Sequence, residues 1–467
     1  MRLNRALARM SLAVLVGGLG ACASTPLPPL SPPLPAQWRH PLPTSGTAPV
    51  DLHGWWRAFG DAELDALVGQ ALDGNLDVAQ ARERLRAART LRSHAYARYL
   101  PSVRARTEDA IDPDASASFF VAGFDSTWEL GLFGRGTANR RMAQGDLDAG
   151  AADLRAAQVS LVAEVAREWL GLRAAQQRER LLATVRDERR RQCDLLQVRQ
   201  RLQLAAPSAV DQAQAALAQA EAALAEPRGA IDAGAQRLAV LLGRNEPDPQ
   251  WTRPGPLPAL GDQRIDAAPA DLLRTRPEIA RAEADVLRAA GEAGMARAEM
   301  YPNIGLGGSL VWSTDITSHR NHSVSRAIGS VGPILDIPLF DWGMRAAAAH
   351  ARDHQLKASV LAYRQAVLQG VAEVETALGN LALQRRRERQ DDDAVQALER
   401  IDAATGKRVA LHLASPLERA DSGIARAQAE LERTDARAAH GLAYVALFKA
   451  LGGAPLPAAD GHAQEPR

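Results

Sequence analysis

Residues 119–133 read FFVAGFDSTWELGLF and residues 327–340 read AIGSVGPILDIPLF. In the first, Phe120, Ala122, Phe124, Ser126, Trp128, Leu130 and Leu132 form a mainly apolar face against Val121, Gly123, Asp125, Thr127 and Glu129. In the second, Val331, Leu335, Ile337 and Leu339 oppose Ser330, Gly332 and Asp336. Successive side chains of a strand point to opposite faces, so a period of two is a strand signature. Two more windows alternate in the same way. Val103 and Ala105 oppose Ser102, Arg104 and Arg106, while Ile304, Leu306, Leu310 and Trp312 oppose Asn303, Gly305, Gly307, Ser309 and Ser313. Strands of about ten residues with aromatics toward their ends are the pattern of a transmembrane barrel, and a soluble half-buried sheet is the other reading. Half of the aromatics (Tyr99, Phe119, Phe120, Phe124, Trp128, Phe133, Tyr301, Trp312, Phe340, Trp342) fall in or beside these windows, where interfacial girdles would place them.

These strand pairs sit at matching places in a duplicated plan. Asn75 to Ala81 lies over Arg276 to Ala282, and Leu100-Pro101-Ser102-Val103 over Tyr301-Pro302-Asn303-Ile304. Further on, Glu129 to Phe133 lies over Asp336 to Phe340, Val162-Ala163-Glu164-Val165 over Val371-Ala372-Glu373-Val374, and Leu242-Gly243 over Leu451-Gly452. Ordered matches of this kind mark an internal repeat. The seam between the halves carries Pro247, Pro249, Pro254, Pro256 and Pro258, which no regular element tolerates. The organisation expected is a segment 1–21, a Pro-rich tether over 22–50, a first repeat over 51–244, a linker over 245–270, a second repeat over 271–452 and a tail over 453–467. Strands are expected at about 102–111, 118–133, 302–314 and 327–340, and helical hairpins at about 136–244 and 343–451.

Each strand pair is followed by a long run of Ala, Leu, Arg, Gln and Glu, from Gly136 to about Leu204 and from Gly343 to about Leu411. Such a run propagates as helix for roughly 100 Å, too long for a compact domain. Pro207-Ser208-Ala209-Val210-Asp211 and Ala414-Ser415-Pro416-Leu417-Glu418 then reverse the chain. Ser208 with Asp211, and Ser415 with Glu418, have capping-box spacing, and Pro416 stands where a first helical residue needs no N–H. Pro227 and Gly229 predict a break in the first return helix.

The 467 residues carry a net charge of +1 and 24% charged residues, which supplies neither the basic field of a nucleic-acid binder nor the composition of a disordered chain. Arg189-Arg190-Arg191 and Arg385-Arg386-Arg387 stand beside acids and read as solvated faces with local ion pairs. His319 and His322 are a chance pair in a loop, and no zinc, P-loop or CxxC motif occurs, so neither an enzyme, a metal site nor a cofactor is expected.

Arg2, Arg5 and Arg9 precede an apolar run from Leu12 to Leu19 that is too short to span a bilayer, as in an export signal. Leu19-Gly20-Ala21-Cys22 resembles the bacterial lipoprotein box, with Cys22 acylated as the new N-terminus; ordinary cleavage after Ala21, leaving Cys22 a free thiol, is the alternative. Ala23 after that cysteine implies, by the same resemblance, sorting to the outer membrane. Cys193 is then left unpaired. The tether that follows has little to bury.

The mature chain resembles the TolC-like outer-membrane factors, closest to the lipoprotein channel subunits of resistance-nodulation-division efflux systems of the OprM/NodT kind. The resemblance is carried by the Cys22 box, Trp55-Trp56 with Phe59 and Asp61, Arg276-Pro277-Glu278-Ile279, Trp128-Glu129-Leu130 with Leu132-Phe133-Gly134-Arg135, Pro338-Leu339-Phe340-Asp341 with Gly343, and Val162-Ala163-Glu164-Val165. It implies a mainly α-helical chain with a membrane β-barrel, four strands per chain, closed by a homotrimer into twelve strands on a helical periplasmic tunnel. The loops at 112–117 and 318–326 would lie at the far end of that barrel. It also implies a collar built from 50–69, the proline seam and the end of the second repeat. Four strands alone cannot close a barrel, so oligomerisation also follows from the strand count. The function implied is a passive exit duct for drugs or other small toxic compounds, in the Gram-negative outer membrane, with a periplasmic adaptor and an inner-membrane pump as partners. A duct for type I polypeptide secretion is the alternative within transport, and a non-conducting coiled-coil lipoprotein the alternative outside it.

In that family an acidic constriction closes the periplasmic end, contributed by the return helix of the second hairpin. Matching the turn places Glu418 and Asp421 there, a helical turn apart. A capping role is the other reading of Glu418. The family's aromatic and arginine clasp is not evident, since Val409 and Ala414 occupy its places, and Asp211 of the first turn is only a weak counterpart.

Overall fold

The computed structural model describes residues 26–30, 35, 37–42, 51–110, 119–261, 264, 275–315 and 326–455. The segment 1–21, Cys22, the loop residues 112–117 and 318–325 with His319 and His322, and the end of the tail lie outside them. Two compact units are present. One comprises the described residues within 1–32, 83–151 and 280–366, the other those within 33–82, 152–279 and 367–467.

The first unit holds the sheet. Strands β1 (Ser102–Ala110), β2 (Phe119–Glu129), β3 (Asn303–Asp315) and β4 (Arg326–Asp336) are antiparallel in the order β1-β2-β3-β4, so strands from both repeats share one sheet. Pairing aligns Ala105, Phe124, Leu310 and Gly329 in one row and Arg104, Asp125, Ser309 and Ser330 in the next. Paired residues share a face. One face therefore carries Val103, Phe120, Phe124, Trp128, Leu306, Leu310, Trp312, Val331 and Leu335, all exposed. The opposite face carries Arg104, Arg106, Asp125, Thr127, Ser309 and Ser330 together with Val121, Val311, Ile328 and Ile334, with Arg106 3.5 Å from Asp125 and the two serine hydroxyls 2.8 Å apart. The outer edges of β1 and β4 have no neighbour among the described residues.

β2 and β4 end four residues earlier than their alternation suggests. After Glu129 the chain turns at Gly131, Phe133 and Gly134, all at positive φ. After Asp336, Pro338 offers no N–H to a ladder. The positive-φ pair Phe133-Gly134 recurs as Trp342-Gly343, not at Phe340. The second repeat thus carries two extra residues between its strand and its helix, a slip that apolar patterning alone conceals because Phe340 and Trp342 both satisfy it.

Helices α1 (Ala62–Gly74) and α2 (Leu76–Ser93) precede the first strand pair, and α3 (Arg135–Arg201) follows it. α4 (Pro207–Ala222) and α5 (Ala225–Leu241) make its return. In the second repeat α6 (Pro277–Ala298) precedes the strands, α7 (Met344–Ala410) follows and α8 (Pro416–Ala450) returns unbroken. α3 and α7 are 67 residues each, roughly 100 Å of helix. The expected break in the first return falls at Ala223 and Leu224. It places Pro227 in the first turn of α5, where no intrahelical N–H is missed and its ring avoids the carbonyl of Ala223. No described helix is long and apolar enough to cross a membrane.

The second unit is built on aromatics. Trp55 stacks on Phe448 at 5.6 Å between centroids, Tyr444 lies 4.6 Å from Phe448, and Phe59 meets Tyr444 edge-on at 5.6 Å. Such pairs contribute about 0.5–1.5 kcal/mol each beyond their burial. The Trp55 indole donates to Gly453 O at 3.1 Å, and burial pushes the Tyr444 hydroxyl's pKa up. Asp61 caps α1, accepting from the N–H groups of Glu63 and Leu64 at 2.8 and 3.1 Å, and its other oxygen takes the Trp169 indole N–H at 2.9 Å. The duplication shows again at the ends of the return helices. Gly243 and Gly452, at φ +70° and +72°, press against the carbonyls of Gly74 and Thr275, where a Cβ would lie 2.3 and 2.6 Å away. Asn75 and Thr275 donate side-chain hydrogen bonds to Leu241 O and Leu451 O at 2.9 and 2.7 Å.

The tether buries little, as expected, but makes one specific contact. The backbone N–H groups of Arg39 and His40 both donate to the Glu375 carboxylate, at 2.6 and 3.1 Å, and the His40 ring packs on Gly379 of α7. A single carboxylate on a helix face accepts both donors, which is why a proline-rich stretch takes a fixed path there.

Candidate functional site

The hairpin turns are built alike. α3 ends with Gln203 at φ +61° and α7 with His412 at φ +59°. In each, the N–H three residues past the helix bonds five residues back, Leu204 to Arg199 O and Leu413 to Arg408 O, both at 2.7 Å. This is a Schellman closure with Gln or His in the position glycine usually takes. Leu202, Leu204, Leu411 and Leu413 remain 63–68% exposed at these ends.

The starts of the return helices differ. Ser415 caps α8 with its hydroxyl accepting from Glu418 N at 3.2 Å, while Ser415 N donates to Glu418 Oε1 at 3.0 Å, closing the capping box behind Pro416. In the first turn Pro207 is the first helical residue, so the cap is Ala206 and has no side-chain bond. The expected Ser208–Asp211 box does not form, because proline at that position moves Ser208 inside the helix.

Glu418 is therefore held from behind. Its carboxyl lies below the ordinary carboxylate range, first through the Ser415 N–H and then the Ser415 side chain, with a small contribution from Arg408, whose Nη2 is 3.9 Å from Oε2. Asp421, also exposed, accepts from Gln192 Nε2 of α3. The two acids thus have separate partners and are not hydrogen-bonded together. Cys193, next to Gln192, is a buried free thiol.

One acid was hidden from sequence reading. Asp402 of α7 is buried and receives Arg419 through both its carboxylate and its carbonyl, the latter at 2.7 Å. Ser422 Oγ donates to the same carboxylate at 2.7 Å, and Arg426 Nε is 3.5 Å from Oδ2. The signal was a polar stripe at i, i+3 and i+7 of α8, formed by Arg419, Ser422 and Arg426. The arginine triplets make local pairs as expected, with Arg190 to Glu221 and Arg191 to Glu188 at 2.7 Å and Arg387 3.7 Å from Asp391.

A chain that combines amphipathic strands with two long helical hairpins is the observation that a comparison with known proteins then decides. The family model "Outer membrane efflux protein" matches residues 67–244 and 268–453. The chain belongs to the outer membrane efflux protein family. The outer membrane protein OprJ of Pseudomonas aeruginosa is 30% identical over 93% of this chain and 93% of its own length. The pyoverdine export outer membrane protein OpmQ of the same species is 28% identical, covering 93% and 94%. Among solved structures, the outer-membrane channel OprN superposes with a TM-score of 0.78 at 27% identity, over 92% of this chain and 99% of that one. This member of the efflux family is a bacterial outer-membrane channel of an efflux system and not an enzyme. Its fold class is the mainly helical, four-strand architecture of the TolC-like channels.

Proposed function

We propose that three copies join β4 of one chain to β1 of the next, closing a twelve-stranded barrel that conducts small toxic compounds passively out of the cell. The observation that carries this is the sheet itself: one face dominated by large apolar side chains, the other holding the charged and hydroxyl residues, and both outer edges without a neighbour among the described residues. In lipid each unpaired backbone group costs several kcal/mol, so an open four-stranded sheet is not a stable membrane species. The apolar row faces lipid and the Arg106–Asp125 and Ser309–Ser330 row faces the lumen. The α3 and α7 hairpins continue the duct into the periplasm, where exposed leucines at their ends suit a periplasmic adaptor, and an inner-membrane pump supplies the energy.

Cys22 carries the acyl anchor of this lipoprotein, and the Glu375 contact fixes where its tether runs. Glu418 and Asp421 supply the acidic gate at the second hairpin turn, with Glu418 kept ionised by its cap. Light scattering on detergent-solubilised protein tests the assembly. A protein mass of three chains is expected, and a stable folded monomer in lipid would refute it.

A further inference from the structure

The proline seam roofs a cavity of about 510 Å³ whose walls are Gln177 and Arg180 of α3 and Arg433 and Arg437 of α8, with Pro254 and Pro256 at the rim. The roof is fixed. Gln176 donates to Trp251 O at 2.8 Å and accepts from Gly255 N at 3.2 Å, while Arg173 donates to Arg253 O at 2.9 Å. Among the described residues no carboxylate lines the cavity.

The lining donors are unequally used. Arg437 is committed to α7, donating to Asp392 at 2.8 Å and lying 3.4 Å from Glu388. Arg433 has Asp392 only at 4.0 Å, beyond hydrogen-bond reach. Arg180 and Gln177, one helical turn apart on α3, have no side-chain partner among the described residues. Among the described residues, Arg180 and Gln177 thus line the cavity without a side-chain partner, and Arg433 faces them from the opposite helix with only a long ion pair to Asp392.

We propose that this cavity binds a small organic molecule through a carboxylate or phosphate group. The planar fork of a guanidinium matches either oxyanion in a bidentate way. Arg180 and Arg433 grip the oxyanion and Gln177 donates a further bond, while Arg437, its charge balanced by Asp392 and Glu388, forms a fixed wall. The volume lies in the range of roughly 300–1,000 Å³ typical of ligand sites, larger than a lone anion needs, so the organic body lies under Pro254 and Pro256. A bound molecule would link α3, the seam and α8.

Calorimetric titration of the full detergent-solubilised chain at low salt, with phenyl phosphate and separately with hippurate, tests the proposal and separates the two oxyanions. Saturable binding of at least one is expected. Arg180→Gln should weaken it roughly tenfold, the usual size of one charge-assisted hydrogen bond, and Arg180→Lys should weaken it less. The Arg180 side chain makes no hydrogen bond or ion pair among the described residues, so loss of binding in that variant does not reflect loss of a structural contact of that kind. Arg190→Gln, whose guanidinium pairs with Glu221, should leave binding unchanged. Failure of both probes to saturate, or equal affinity in wild type and Arg180→Gln, would overturn the proposal and leave these arginines a solvated face.

Discussion

Leu310 and Ser309 are neighbours in β3 with opposite duties, and placing an arginine at each in turn separates the two faces of the sheet. Leu310 pairs with Phe124 and Gly329 on the apolar face, Ser309 with Asp125 and Ser330 on the polar one. Both lie near the middle of a strand of 13 residues, close to the midplane of a bilayer crossed by it. An arginine on the lipid face at that depth costs about 2–4 kcal/mol per chain, hence on the order of 6–12 kcal/mol for a three-chain barrel. Leu310→Arg should reduce the protease-resistant assembled form in outer-membrane fractions by well over tenfold. Leu310→Ala, which removes the side chain without adding charge, should reduce it slightly. Ser309→Arg should assemble normally, because its guanidinium enters the aqueous lumen beside Asp125. Equal losses in Leu310→Arg and Ser309→Arg, or a greater loss in Ser309→Arg, would refute the assignment of faces.

Asp402→Asn removes the charge that holds Arg419 and Arg426. Those arginines are 44% and 38% exposed, so solvent screening limits the cost to about 1–2 kcal/mol, and amides over 399–422 should exchange roughly five- to thirtyfold faster by hydrogen-exchange mass spectrometry; unchanged protection would contradict the role given to Asp402. The Glu388 carboxyl is held below its ordinary range first by the hydrogen bond from His440 at 2.6 Å, against the opposing effect of burial. A depressed carboxylate pKa stabilises the fold above the unfolded value near ~4.3 and loses that contribution as pH falls through the lower folded value. His440→Leu should therefore begin acid unfolding at higher pH than wild type, and coincident transitions would dismiss the coupling. Cys22→Ser should abolish incorporation of radiolabelled fatty acid, whereas absence of label in wild type would end the lipoprotein assignment.

The repeat, the strands and the hairpins were legible because each has its own period: two in the strands, long runs of good helix formers in the hairpins. What escaped were features that depend on one residue's backbone or on a distant partner. The two-residue slip before α7 hides between Phe340 and Trp342, and only the positive φ at Trp342 and Gly343 reveals it. Pro227 announced a break, but its position followed from which carbonyl the ring would strike. Ser208 and Asp211 had the right spacing for a cap and lost it to Pro207. Asp402 and Glu375 act through partners 17 and more than 300 positions away, and the stripe of Arg419, Ser422 and Arg426 on α8 does not by itself say which acid it meets.

The central claim, that the assembled chain is a conducting duct with its acidic gate at the second hairpin turn, is tested most directly by single-channel recording in planar bilayers. Wild type should give stepwise, cation-preferring currents, because rings of like charge in a narrow pore concentrate cations. Glu418→Gln with Asp421→Asn should move the reversal potential in a salt gradient toward zero selectivity, while Glu418→Gln alone should leave the cap intact, since glutamine also serves at the third position of a capping box. Assembled, inserted protein that passes no current would contradict the duct, and unchanged selectivity in the double variant would place the gate elsewhere.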